Sequence, residues 1–251
     1  MGSYMQFKWR YTNHVEGSIV APEFGKWNNH SARKWLSFER IDSLVFTGSG
    51  SMDGSGSGLL LFISDGDDCI SIGNGTSNVD IDGVSCGPGH GISIGSLGED
   101  QSTATVEKIS VSNSHFFNTT NGARIKTWQG GKGYVRSISY DNISFTNVTN
   151  PIIIDQYYCL TDNGCPPQKS AVQISNVKYN NFWGTSSKDY AVTLNCSKTV
   201  ACTDIHLTNI NITTVASSVG DTEATCINAY GEADGYLNTD MSCLHYSEIK
   251  D

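Results

Sequence analysis

The stretch VRSISYDNISFTN, at positions 135–147, alternates apolar and polar residues and has asparagines at its bends. This alternation is typical of a strand with one buried face, because successive side chains point to opposite sides. Four other stretches share the pattern: NVDIDGVSC at 78–86, VEKISVSNSHFFN at 106–118, AVQISNVKYNNFWG at 171–184 and CTDIHLTNINITT at 202–214. The chain therefore contains a loose internal repeat of extended segments.

Each repeat is followed by a second short apolar stretch. These are GHGISIG at 89–95, GARIKTW at 122–128, NPIIIDQ at 150–156, YAVTLNC at 190–196 and TCINAYG at 225–231. Paired strands recurring every roughly 25–35 residues, with no helical period between them, predict an all-β, right-handed parallel β-helix in which each repeat is one coil. A β-sandwich is the alternative, but it would more often show two-residue hairpin turns and does not explain the paired strands.

Composition agrees with a single β-rich domain. The 251 residues are 38% hydrophobic, which is enough for one core, and only 16% are charged. A net charge of −9 argues against a nucleic-acid partner, which would need a basic surface. No apolar stretch is long enough to span a membrane. An acidic ligand would have to meet a local basic patch.

Eight cysteines without a Cys-x-x-Cys or Cys/His zinc spacing predict disulfides in an oxidising compartment. Spacing alone favours two pairs, Cys159–Cys165 and Cys196–Cys202, and leaves the others open. Seven Asn-x-Ser/Thr sequons support a secreted glycoprotein: Asn29, Asn74, Asn118, Asn142, Asn147, Asn195 and Asn211. The first residues, MGSYMQFKWRYTNH, contain no apolar signal core, so we expect a secreted protein whose signal peptide is not in this chain.

The second strands predict which side chains point outward. Arg124 and Lys126 flank Ile125, so both cations should lie on the outer face of their strand. Asp68 and His90 have the inward parity of the isoleucines that follow them. Because burying a bare carboxylate is costly, we expect the chain to bend just before Cys69 and again near Gly91.

With those bends, polar groups from successive coils converge on one outer strip, and this convergence is the functional signal. The expected members are Asp67, Asp68, His90, Arg124, Lys126 and Tyr158.

These residues lie in motifs that resemble the plant polygalacturonases, the pectin-hydrolysing glycoside hydrolases of family 28. The motifs are GDDCISIGNGTSN at 66–78, GPGHGISIGSLG at 87–98, NGARIKTWQGGKGYVRSISYDNISFTNV at 121–148 and NPIIIDQYYC at 150–159. The resemblance is nearly unbroken from about position 67 to the end. It is weaker in GSIVAPEF at 17–24 and WLSFERIDSLVFTGSGSMDGSG at 35–56.

The resemblance implies inverting hydrolysis of α-1,4 bonds in polygalacturonate, without a metal or organic cofactor. Asp67 resembles the general acid and Asp68 a carboxylate that orients the attacking water. His90 resembles the residue that supports the acid and the sugar. Arg124 and Lys126 resemble the cationic clamp on galacturonate carboxylates, and Tyr158 a tyrosine that contacts substrate.

The resemblance also implies the pairs Cys69–Cys86 and Cys226–Cys243, besides the two short pairs. Among the five tryptophans, only Trp128, beside the Arg-Ile-Lys strand, is a candidate for stacking on a sugar. We expect it to pack in the core or against a loop instead. We expect a monomer that acts on pectin in the plant cell wall.

One motif departs from the family pattern. The family carries Asn-Thr-Asp-Gly one coil before Asp-Asp, whereas here SMDGSGSG at 51–58 runs into LLLFISDGDDC at 59–69. The short NTD at 238–240 follows the catalytic strands and is interpreted as coincidence. We predict one domain over 1–251, with N-terminal coils at 1–58, an internal deletion junction at 59–66 and catalytic and C-terminal coils at 67–251.

The departure leaves two alternatives open. A non-catalytic pectin-binding or vestigial protein would keep Arg124, Lys126 and Tyr158 but lack one water-activating carboxylate; Asp65 is a weak candidate to replace it. A calcium-dependent lyase on a similar fold would need a cluster of calcium-binding carboxylates, and the sequence shows only its basic residues.

Overall fold

The structure is a computed structural model. It describes the backbone of strands at 11–14, 18–20, 37–38, 42–47 and 51–53, and residues 68–159, 166–215 and 221–245 with their side chains. The predicted junction at 59–66 lies outside the described residues.

The described residues form nineteen strands and one 3₁₀ turn at Glu99–Gln101. The strands are β1 Tyr11–His14, β2 Ser18–Val20, β3 Ser37–Phe38, β4 Asp42–Thr47, β5 Ser51–Asp53, β6 Ile70–Ile72, β7 Thr76–Asp82, β8 Ser85–Cys86, β9 Ile92–Leu97, β10 Thr103–Phe117, β11 Asn121–Thr127, β12 Lys132–Val148, β13 Asn150–Asp155, β14 Gln173–Ser186, β15 Tyr190–Asn195, β16 Cys202–Thr214, β17 Thr222–Ile227, β18 Ala229–Leu237 and β19 Thr239–Asp240.

The strands stack into two parallel sheets. The first has the path β1-β4-β7-β10-β12-β14-β16-β18, with β2, β5 and β8 continuing the same stack beside it. The second has the order β3-β6-β9-β11-β13-β15-β17-β19. Every pairing between named strands is parallel, and from β8 onward chain neighbours alternate between the two sheets, which confirms the predicted parallel β-helix. None of the helices in the described part of the chain is long and apolar enough to cross a membrane.

The long strands of the first sheet turn corners at residues with positive φ. Strands β10, β12, β14 and β16 each contain two or more such residues, and one aligned set is an asparagine in every strand: Asn113, Asn142, Asn181 and Asn209. Asparagine tolerates this left-handed conformation better than most residues. Its amide also joins neighbouring coils, since Asn142 donates to Asn113 at 2.5 Å and Asn209 to Asn181 at 3.0 Å. The bends predicted from the repeat are therefore asparagine ladders.

The second strands form the other sheet, with one correction. The predicted strand TCINAYG at 225–231 is wrong in its bounds, because it joins the end of β17 to the start of β18. Asn228 lies between them with a φ of 50° and turns the chain from one sheet to the other. Its side chain donates to the backbone oxygen of Ser197.

The core consists of apolar side chains stacked in register along the helix axis. One ladder in the second sheet has members that are all fully buried, and each is the register partner of the next. Its members are Ile72, Ile94, Ile125, Ile154 and Leu194. Their parity is the one predicted from sequence, so the residues between them lie on the outer face.

Three of the four expected disulfides are present: Cys69–Cys86, Cys196–Cys202 and Cys226–Cys243. The fourth expected pair, Cys159–Cys165, includes a residue outside the described ranges. Cys69–Cys86 links the start of β6 to β8 in the other sheet. It therefore fixes the segment that begins with Asp68.

Two stacked tyrosines fill the core of the first sheet. Tyr140 and Tyr179 are register partners, with ring centroids 5.5 Å apart and planes only 2° from parallel. Both side chains are fully buried, and neither hydroxyl has a hydrogen-bond partner among the described residues. Burial raises the pKa of both phenols above the ordinary value of 10.0.

The buried phenols predict a loss of stability at alkaline pH. The pKa of each phenol is higher in the folded than in the unfolded protein. The phenols therefore contribute fully to the free energy of unfolding below the unfolded pKa of about 10, and this contribution is lost as pH rises through the folded pKa. The double variant Tyr140→Phe/Tyr179→Phe should match the parent within about 1 kcal/mol at pH 7, since the lost hydroxyls are unpaired. At pH 10.5 it should be about 1.5 kcal/mol more stable. Urea unfolding of both proteins at pH 7 and pH 10.5 measures this gain. A stability difference between variant and parent that is the same at both pH values would contradict the prediction.

Candidate active site

The candidate site lies on the outer face of the second sheet. Ser93 on β9 and Arg124 on β11 are register partners between the inward pairs Ile92–Ala123 and Ile94–Ile125. Extending the parity places Lys126 on the same face. Asp68 precedes β6, on the neighbouring coil.

Asp68 is held at this face by two side chains. The Ser93 hydroxyl donates to Oδ1 with 2.6 Å between the oxygens, and the Lys126 ammonium lies 2.7 Å from Oδ2. The Asp68 and Lys126 side chains are only 9% and 11% exposed. Each carboxylate oxygen therefore has its own strong donor, which fixes the orientation of the group.

The expected bends bring Asp68 outward. The chain bends at Cys69 and at His90, and Gly91 has a φ of 82°. A Cβ on Gly91 would lie 2.0 Å from the backbone oxygen of Asn121, so no larger residue fits there.

His90 lies beside Asp68 in the backbone. The Cys69 amide donates to the Gly91 oxygen at 2.8 Å, and Ile70 pairs with Ile92. Extending this parallel register by two residues sets Asp68 next to His90 on the following coil.

Tyr158 joins the cluster from the loop after β13. Its ring centroid is 5.4 Å from the Arg124 guanidinium carbon and 5.4 Å from the Lys126 ammonium. Trp128 packs edge-on against the same ring at 5.7 Å. The phenol, two cations and the Asp68 carboxylate thus form one continuous group.

The environment of Tyr158 keeps its phenol protonated. Partial burial raises its pKa above the ordinary value, and the positive charge of Arg124 opposes the shift. The carboxylates of Asp68, Glu99 and Asp155 raise the pKa further. Tyr158 can therefore donate a hydrogen bond throughout the neutral and acidic range.

Two polar atoms at this face are buried without a partner among the described residues. They are Nε of Arg124 and Nε1 of Trp128. Both are obligatory donors, and leaving a buried donor unpaired costs free energy. Such donors beside a buried carboxylate suit an oxygen-rich ligand.

A buried glutamine pair, which the sequence analysis missed, anchors the Tyr158 loop. Gln156 is fully buried; its side chain donates to the Val172 oxygen at 2.7 Å and accepts from the Ser197 amide at 2.8 Å. The Gln129 side chain donates to the backbone oxygen of Gln156 at 2.8 Å. This network holds the chain two residues before Tyr158.

Ser93 was also missed, although its position could have been found. It lies between Ile92 and Ile94, which is the parity that placed Arg124 outward. A serine at an outward position reads as an ordinary surface residue, and only the approach of Asp68 makes it a buried donor.

The remaining candidates are distributed as follows. Asp67 and Asp65 lie outside the described residues. Asp240, in the NTD stretch, is on β19, six strand positions from β6, or about 29 Å along the stack. Residues 68–159, 166–215 and 221–245 contain no group of three or more His, Cys, Asp or Glu arranged to hold a metal ion.

Removing the Ser93 hydroxyl should cost more than removing a neighbouring one. Ser93→Ala takes a donor from a buried carboxylate and should lower the free energy of unfolding by about 2 kcal/mol. Ser71→Ala is the matched control: Ser71 is its buried register partner, but donates to the neutral Gly95 oxygen. Its loss should cost about 1 kcal/mol. Urea unfolding of both variants measures the difference, and equal losses would contradict it.

Curated plant proteins match much of the chain. A probable polygalacturonase of Arabidopsis thaliana is 50% identical over 188 residues, which are 74% of this chain and 41% of that protein. Polygalacturonase QRT2 of the same plant is 55% identical over 59% of this chain and 34% of its own length. A polygalacturonase of Persea americana is 51% identical over 66% of this chain and 36% of its own length. The chain therefore spans less than half the length of these relatives.

A solved structure shares the fold. The endo-xylogalacturonan hydrolase of Aspergillus tubingensis superposes with a TM-score of 0.64 at 20% identity, over 88% of this chain and 57% of that one. The sequence model named Glycosyl hydrolases family 28 matches residues 60–243, which is well over half of the chain. The chain is accordingly a member of glycosyl hydrolase family 28.

Proposed function

We propose that this protein hydrolyses α-1,4-galacturonan, the backbone of pectin, by inverting acid/base catalysis. The observation that carries the proposal is the fixed Asp68 carboxylate, held by Ser93 and Lys126 beside Arg124 and the Tyr158 phenol. The names of the plant relatives, all polygalacturonases, support the same substrate.

The proposed chemistry divides between the two adjacent aspartates. Asp67 protonates the leaving glycosidic oxygen, and Asp68, ion-paired with the Lys126 ammonium, orients the attacking water. Negative charge on Asp68 favours the protonated form of the adjacent Asp67. His90, next to Asp68 in the extended register, supports the acid and the sugar.

The cations explain how an acidic protein takes an acidic polymer. The chain has a net charge of −9, so general electrostatics repel polygalacturonate. Arg124 keeps a buried Nε–H without a partner among the described residues, which suits a uronate carboxylate. Lys126 supplies a second positive charge, and Tyr158 stacks against both cations and contacts the sugar.

Membership of the family supports a wider proposal. We propose a monomer that is secreted into the plant cell wall and works without a cofactor, with the domain organised as predicted from sequence. Three disulfides are consistent with secretion.

The test is release of reducing ends from polygalacturonate by the purified chain, with Asp67→Asn and Asp68→Asn as variants. Turnover by the parent should fall by about 10³-fold in each variant, because each removes one acid/base group. Binding of oligogalacturonate is measured in parallel. Binding without turnover by the folded parent would reject hydrolysis and favour the vestigial pectin-binding alternative.

A further inference from the structure

We propose that Asn211 carries an N-linked glycan whose first N-acetylglucosamine packs on the indole of Trp183. This goes beyond the hydrolytic function and depends only on passage through a secretory pathway.

Six of the seven sequons lie in the described residues, and five of them have side-chain amides in hydrogen bonds. Asn142 donates to Asn113, Asn147 donates to Asn118, and Asn195 donates to Asp155. Asn118 accepts from Asn147, and Asn74 accepts from the Thr105 amide at 2.9 Å. These amides connect adjacent coils, so a sugar attached there would have to fit between ladder positions about 4.8 Å apart.

Asn211 is different from all of these. It is exposed on the outer face of β16, between the fully buried Ile210 and Ile212. Among the described residues its side-chain amide has no hydrogen-bond partner. A glycan at this position needs no structural contact to be broken.

Trp183 supplies the second observation. It is the register partner of Asn211 on the adjacent strand β14, so the two side chains share one face about 4.8 Å apart. Trp183 is 42% exposed, which makes it one of five large apolar side chains exposed to solvent among the residues whose side chains the structure describes. An indole face buries apolar surface well, and the C–H face of a pyranose beside it would cover the ring.

The attachment is a nucleophilic substitution with a lipid-diphosphate oligosaccharide as donor. The Asn211 amide nitrogen forms the bond to C1 of the sugar and loses one proton, and the C1–oxygen bond to the diphosphate breaks with its electron pair.

The first experiment measures site occupancy. The protein is secreted from a eukaryotic host, deglycosylated by an amidase in ¹⁸O-water, and mapped by peptide mass spectrometry. Asn211 should show nearly complete conversion to labelled aspartate, and Asn142 and Asn147 should remain asparagine. An unmodified Asn211 in folded protein would overturn the proposal, whatever the activity towards pectin.

The second experiment tests the contact with Trp183. The Tm is measured for glycosylated and enzymatically deglycosylated protein, in the parent and in Trp183→Ala. Removing the glycan should lower Tm by about 2–4 °C in the parent and leave Trp183→Ala unchanged. Tyr190→Ala, an exposed aromatic on the other sheet, is the matched control and should behave like the parent. An equal shift in all three proteins would overturn the proposed packing.

Discussion

Replacing Lys126 by methionine should lower the free energy of unfolding by about 3–5 kcal/mol. The variant keeps the apolar length of the side chain but leaves Asp68 without the ammonium that lies 2.7 Å from its Oδ2. The two side chains are only 11% and 9% exposed, so water cannot replace the lost partner fully. Breaking one side of a buried pair is costly because an uncompensated charge remains.

The chain provides a matched control in a second ion pair. Arg136 and Glu107 also approach to 2.7 Å, but the Arg136 side chain is 50% exposed. Arg136→Met should change stability little, since exposed pairs contribute little. Urea unfolding at pH 7 compares the two variants. Adding Asp68→Asn to Lys126→Met should recover part of the lost free energy of unfolding, because the uncompensated charge is removed. The buried-pair account would be contradicted if Lys126→Met and Arg136→Met lost equal stability and the double variant recovered none of it.

Replacing Arg124 by methionine should raise KM for polygalacturonate about 10- to 100-fold, which corresponds to losing one charge-assisted hydrogen bond to substrate. Arg124 has a buried Nε without a partner among the described residues, and its guanidinium stacks against Tyr158. A substrate carboxylate would supply the missing acceptor, so the loss should appear as weaker binding.

Substrate chemistry separates recognition of charge from general damage to the site. Fully methyl-esterified galacturonan has no carboxylate for Arg124 to bind, so the parent and Arg124→Met should use it about equally poorly. Initial rates over a range of both substrates give the comparison. A similar fractional loss on charged and esterified substrate would show that Arg124 acts structurally.

The fold could be predicted because each coil repeats the same local pattern. Ile94, Ile125 and Ile154 are read from sequence as inward residues, and parallel stacking then fixes their neighbours. The boundary near Asn228 was wrong because apolar residues continue on both sides of the turn. Only the positive φ of Asn228 and its bond to Ser197 mark the corner, and neither appears in a hydropathy pattern.

The site could be predicted only as far as strand parity reaches. Parity placed Arg124 and Lys126 outward but did not show that Lys126 is nearly buried against Asp68, because that contact spans 58 residues and two coil steps. The buried glutamines behind Tyr158 were missed for a similar reason. Their partners, including Val172 and Ser197, come from separate loops whose positions no repeat specifies.

The most direct test of the central claim is to follow oligogalacturonate cleavage by ¹H NMR and record the anomer of the new reducing end before mutarotation. Hydrolysis with an acid and a water on opposite faces of an α-linked sugar predicts that the β anomer appears first. Persistence of intact oligosaccharide in the presence of cooperatively folded protein, or initial release of the α anomer, would contradict it.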